Sequence, residues 1–154
     1  MSTRGFSVIE IVLYCTVLGA LAAVAIPRFA SQRTQLAVTN AVDEFRSTHA
    51  LARAVAIREG RTSRLRIDVS QSRFWIEIDT TAAYTGALDT IGPIRDLSTE
   101  RITISSSRSL LCFDARGLAT PIKTCPPGDA TLVFTLENEA DTVQTTVLGK
   151  LLRR

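Results

Sequence analysis

Three hydrophobic patterns follow one another along the chain. From Phe6 to Ile26 nearly every position is apolar, and Glu10 is the one charge among them. Beyond Pro27 the apolar residues Val38, Val42, Phe45, Ala52 and Ala56 recur at three- and four-residue steps. That spacing predicts an amphipathic helix with one packed face and one wet face. Gly60 is its expected stop, because glycine takes the left-handed cap without steric cost. Pro27 sits inside this pattern, so it is expected to bend one long helix rather than divide two domains.

From Leu65 the period changes to two. Leu65, Ile67 and Val69 share one face of "LRIDV", and Phe74, Ile76 and Ile78 share one face of "RFWIEID", with "SQS" as the turn between them. This predicts a β-hairpin directly after the helix. The stretch 80–100, "TTAAYTGALDTIGPIRDLSTE", shows neither period and is expected to be a surface loop. Further strands are expected at "RITIS", "LLCFD", "TLVFTLE" and "TVQTTVL", with turns at "ARG" and "ENEAD". The fold class is therefore α+β: a long N-terminal helix packed on an antiparallel sheet.

Length and charge refine this layout. The 154 residues suit one domain with an appendage. The 21 residues from Phe6 to Ile26, at a rise of about 1.5 Å each, reach roughly 32 Å, enough to cross a bilayer core of about 30 Å. A cleaved secretory signal with "ALAAVA" as its cleavage region is the rival reading. The apolar run exceeds the usual length of such signals, about 7–15 residues. Arg4 is the only charge before the span, which places the N-terminus in the cytoplasm and the remainder outside. The formal net charge of +3 does not by itself identify an acidic partner.

Of the three cysteines, Cys15 lies in the apolar span, leaving Cys112 and Cys125 in the exported part. In an oxidising compartment the pair is expected to bridge, the alternative being buried free thiols. Without histidine partners the pair is a poor metal site, and no metal or cofactor is expected. His49 is the only histidine, which disfavours a catalytic triad and points to a packing residue at the helix boundary. No phosphate-binding loop, zinc helix or nucleophile elbow is present, so the chain is not read as an enzyme. Trp75 falls on the face of its strand opposite Phe74 and Ile76, either half-exposed or covered by the loop around Tyr84.

The opening "GFSVIE" resembles the leader junction of type IV pilins and type II secretion pseudopilins. Gly5 precedes the cut, Phe6 follows it, and Glu10 stands five positions into the mature chain. Pro27 matches the helix-bending proline of these proteins, and the helix-then-sheet layout is similar to the pilin fold. "FRSTHALARAVAIREGRTSRLRIDV" and "LCFDARGLATP" resemble the minor pseudopilin H and FimT-type group. The resemblance implies a leader at 1–5, a transmembrane and assembly helix at 6–27, and a periplasmic domain at 28–154, comprising helix 28–60 and a β-sheet over 64–151. It also implies cleavage after Gly5 and methylation of the Phe6 amine by a prepilin peptidase, followed by assembly with other pilins or pseudopilins at the inner membrane.

Within that frame Glu10 has two readings. It pairs with the Phe6 amine of a neighbouring subunit and fixes helix register, or it reaches toward lipid headgroups as an interfacial carboxylate. The C-terminal "LGKLLRR" also has two. Lys150, Arg153 and Arg154 resemble the basic DNA-binding motif of the FimT-type branch, although Leu151 and Leu152 separate the cations from Gly149; the alternative is a solvated tail. The first functional reading is an H-type minor pseudopilin of a type II secretion system, and the second a FimT-type minor pilin in pilus assembly or DNA uptake.

Overall fold

The structure, a computed structural model, describes residues 7–80, 87–119, 125, 129–146 and 148–153, with the backbone alone at 26, 27, 30 and 31. A single helix, α1, runs from Val8 to Glu59 and stays helical through Pro27. It divides by burial where the sequence changes pattern. No residue of Val8–Ala25 is buried, whereas Val38, Val42, Phe45, Ala52 and Ala56 are all within 2% of complete burial. The three- and four-residue spacing thus marks the packed face. At its end Gly60 adopts φ 61°, and the Gly60 and Arg61 amides donate to the Ile57 and Ala56 carbonyls at 3.3 and 3.2 Å. These bonds satisfy carbonyls that the last turn leaves open.

The hairpin follows as expected: β1 (Ser63–Asp68) pairs antiparallel with β2 (Arg73–Asp79). In the turn between them the Asp68 carboxylate accepts from the Ser70 hydroxyl and from the Ser70 and Gln71 amides, at 2.6, 2.9 and 3.2 Å. The Ser70 hydroxyl is the leading cause that holds the Asp68 carboxyl below its ordinary pKa.

The expected loop over 80–100 is a correction. Leu88–Asp96 forms strand β3 on the edge of the sheet, and Ser98–Glu100 forms a short 3₁₀ turn. Most of β3 is exposed on both faces, so it carries no alternation for a period-two pattern to reveal. Gly92 and Pro93 are also tolerated on an edge strand where a central one excludes them.

The remaining strands are β4 (Thr103–Ser106), β5 (Leu110–Phe113), β6 (Ala130–Leu136), β7 (Glu139–Thr145) and β8 (Leu151–Arg153). They do not join the hairpin in one sheet. Two four-stranded antiparallel sheets form instead, ordered β3-β2-β1-β5 and β4-β6-β7-β8. The chain crosses from the second sheet to the first between β4 and β5. "ENEAD" is mostly strand, because β7 begins at Glu139 and the tight turn needs only Glu137 and Asn138.

Both sheets lean on the second half of α1. Phe45 links them, its ring lying 5.4 Å from Phe74 of the first sheet and 5.6 Å from Phe134 of the second. Leu65, Ile67, Phe113, Ile104, Leu132 and Val143 complete one continuous core with it. Removing Phe45 would open that core at its junction, a change that costs about 3–5 kcal/mol for a buried phenylalanine.

Candidate functional site

The first half of α1 presents bare apolar side chains, among them Ile9, Leu13, Leu18 and Leu21. Eighteen residues from Val8 to Ala25, at about 1.5 Å each, reach roughly 27 Å, close to the thickness of a bilayer core. Because no described residue buries this segment, it is not the core helix of a globular domain. Glu10 occupies the first turn, where the helix dipole favours a carboxylate. It is exposed and makes no ion pair with any described residue. Gly5 and Phe6, the expected cleavage and methylation positions, lie outside the described residues, as does Arg154.

The C-terminal element is not a loose tail. Leu151–Arg153 adds strand β8 beside β7, with Arg153 opposite Val143. The Arg153 guanidinium pairs with Asp141 at 2.5 Å and donates to the Thr39 hydroxyl of α1 at 3.2 Å. Lys150 is exposed, and its ammonium makes no hydrogen bond or ion pair with any described residue. The structure therefore separates the two cations: one is engaged within the fold and the other faces solvent.

Arg53 holds this region to the helix and was not recognised from sequence. Its Nε donates to the Gly117 carbonyl at 2.8 Å and its Nη1 to the Gly149 carbonyl at 3.3 Å. One side chain thus ties the turn after β5 and the turn before β8 to α1. Gly117 has φ 74°, and a Cβ there would lie 2.8 Å from Ile57 Cδ1. Conformation and close approach both call for glycine. The sequence offered one signal, an arginine directly beside the packed Ala52 on a half of the helix that carries other arginines too.

Cys112 and Cys125 are bonded, with Cα atoms 6.1 Å apart. Closing a loop of this size stabilises by about 3 kcal/mol in the chain-entropy model. His49 is buried, as expected for a packing residue, and meets the Phe113 ring edge-on at 5.0 Å. Burial first, and the Arg53 charge second, push its pKa down to about 4. The imidazole is therefore neutral at physiological pH, and its Nε2 has no hydrogen-bond partner among the described residues. Trp75 is half-buried on the outer face of the first sheet, donating to Glu77 at 2.7 Å with the Arg66 guanidinium 5.9 Å above its ring. Tyr84, its expected cover, lies outside the described residues. Among the described residues no three metal-ligating side chains converge.

Known proteins resemble this arrangement. The minor pseudopilin EpsH from the type II secretion system of Vibrio cholerae superposes with a TM-score of 0.58 at 18% identity, covering 76% of this chain and 95% of that one. A second EpsH structure gives 0.59 at 15% identity, covering 78% and 97%. The Pseudomonas aeruginosa type IV minor pilin FimU gives 0.58 at 15% identity, covering 76% and 87%. At such identities the likeness establishes the fold, which is that of the minor pilins and pseudopilins. A search of curated proteins by sequence found no match. The family model described as "Type II transport protein GspH" matches residues 41–149, from the packed half of α1 to the turn before β8. With that span covering well over half of the chain, the chain belongs to the GspH family of type II transport proteins.

Proposed function

We propose that this GspH-family chain is an H-type minor pseudopilin of a type II secretion system. The observation that carries the reading is the pairing of a GspH-matching domain with an uncovered apolar helix bearing Glu10. Members of this family are filament subunits rather than enzymes. Residues 1–5 are the leader, 6–27 the membrane and assembly helix, and 28–154 the periplasmic domain. A prepilin peptidase cuts after Gly5 and methylates the Phe6 amine. The mature subunit waits in the inner membrane with its N-terminus cytoplasmic, then enters the filament beside other pseudopilins.

Glu10 supplies the assembly contact. A carboxylate at a membrane helix centre costs about 2.5–3.5 kcal/mol, and less near the interface where Glu10 lies. Pairing with the amine of a neighbouring subunit at 4 Å returns about 4 kcal/mol at an effective dielectric near 20. The unpaired subunit is tolerated and the paired one is held in register. Glu10→Ala should be processed and inserted normally but fail to co-purify with its neighbouring pseudopilins. Undiminished co-purification would refute the contact, and a mature N-terminus other than N-methylated Phe6 by mass spectrometry would refute the processing.

A FimT-type role in pilus assembly or DNA uptake is the second reading, favoured by the exposed side chain of Lys150. Because Arg153 is engaged by Asp141, at most two of the three C-terminal cations could meet phosphates, and two such contacts give a salt slope of only about −1.8. Loss of exoprotein secretion on deleting the gene supports the first reading; loss of DNA uptake with secretion intact supports the second.

A further inference from the structure

The outer face of the first sheet carries a cleft that the assembly helix and the C-terminal strand do not use. It has a volume of about 530 Å³ and is lined by Arg64, Arg66 and Arg108 together with Ser107, Ser109 and Leu110. That volume is in the range of ligand-binding clefts. Register explains how it arises. Arg64 and Arg66 alternate with core-facing Leu65 and Ile67 on β1, so both turn outward. Across the ladders they stand opposite Glu77 and Trp75 on one side, and Cys112 and Leu110 on the other.

The wall formed by the crossing between the sheets is fixed in place. Ser107 exchanges backbone and side-chain bonds with Thr131 at 3.0 Å, the Ser109 carbonyl accepts from the Ile67 amide at 2.9 Å, and Arg108 Nε donates to the Asp129 carbonyl at 3.1 Å. That wall and Arg108 are therefore held before any ligand arrives.

Of the cleft's cations, Arg66 and Arg108 have partners within the fold. Glu77 is the one carboxylate among the cleft's lining residues. Its Oε1 accepts from Trp75 and stands 3.6 Å from Arg66, only a tenth of its side chain is exposed, and its Oε2 is buried with no hydrogen-bond partner among the described residues. Arg64 makes no hydrogen bond or ion pair with any described residue, and its Nε is buried without a partner. A guanidinium has donors only, so the missing partner is an acceptor, and a carboxylate matches its fork.

We propose that this cleft is a docking site for an acidic segment of a protein partner, whose carboxylate pairs with Arg64 and Arg66. A peptide fits better than a nucleic acid. The cations are gathered in a concavity rather than spread along a surface that a duplex could follow. The Trp75 face is covered by Arg66, which removes it as a platform for a base. Leu110 offers apolar contact to the stem of an acidic side chain, which an isolated phosphate does not use. The proposal concerns the exported domain alone and stands or falls independently of filament assembly.

The test uses the full chain in nanodiscs of zwitterionic lipid and fluorescence anisotropy. The probe is the labelled peptide Ala-Asp-Leu-Glu-Ala, capped at both ends, against its twin Ala-Asn-Leu-Gln-Ala. The acidic probe should bind saturably, at least tenfold more tightly than the twin, and Arg64→Gln should weaken it about tenfold, the weight of one charge-assisted bond. Arg66→Gln, at a half-exposed position, should do the same and guards against a folding defect in the first variant. Equal binding of the twin, no saturable binding, or affinity unmoved by either variant would overturn the proposal. Displacement by a short DNA duplex or by inorganic phosphate more effectively than by unlabelled acidic peptide would overturn it in favour of those ligands.

Discussion

Arg53→Met removes the two bonds from α1 to the Gly117 and Gly149 carbonyls while keeping most of the aliphatic stem. The shorter bond, at 2.8 Å, is of the charged-donor kind that contributes about 1.5–3 kcal/mol, and partial exposure places it at the low end. The longer, at 3.3 Å, adds about 0.5–1 kcal/mol. The expected loss is therefore about 2–3 kcal/mol, a large share of the roughly 5–15 kcal/mol that holds a typical domain. Arg53→Lys can keep one bond at most and should lose about half as much. The assay is urea unfolding of the full chain in detergent micelles at pH 7.5, followed by the fluorescence of Trp75, the only tryptophan. At that pH His49 is neutral, so its titration does not enter. An unchanged midpoint at unchanged slope, equivalent to less than about 0.5 kcal/mol, would mean that water replaces the guanidinium at no cost and that the clamp does not exist.

Three other outcomes follow from the same structure. Below about pH 6.5 the unfolded chain protonates His49, whereas the folded chain resists until about pH 4. Stability should therefore fall as pH drops through that window, by up to about 1.4 kcal/mol per unit, and His49→Leu should remove this component from the pH dependence of urea unfolding. Reducing the Cys112–Cys125 bond should lower stability by about 3 kcal/mol without preventing membrane insertion, as read by unfolding with and without dithiothreitol. Gly117→Ala should lower the melting temperature by several degrees, because its Cβ meets Ile57 at 2.8 Å in a left-handed backbone; a melting temperature equal to the parent's would show that Ile57 yields freely.

Periodicity made the packed face of α1, the Gly60 stop and the first hairpin legible in the sequence, since each is written in consecutive residues. Val38, Val42, Phe45, Ala52 and Ala56 lie within 2% of full burial at the positions their spacing marks. β3 left no such trace, because an edge strand with few buried side chains has no face for the pattern to record. The C-terminal cations looked alike as letters, yet Arg153 meets Asp141 and Thr39 while Lys150 meets solvent.

By itself, then, the sequence determined what local geometry controls: an apolar span long enough for a bilayer, an amphipathic helix and alternating strands. Only the tertiary structure decided the split into two sheets, the Arg53 clamp and an Arg64 that has no partner among the described residues. The physical reason is separation along the chain. Arg53 meets carbonyls 64 and 96 residues away, and the cleft draws on strands from both sides of the sheet crossing. Helical and strand periods report which way a side chain faces, but its partner is chosen by how the sheets and helix pack together.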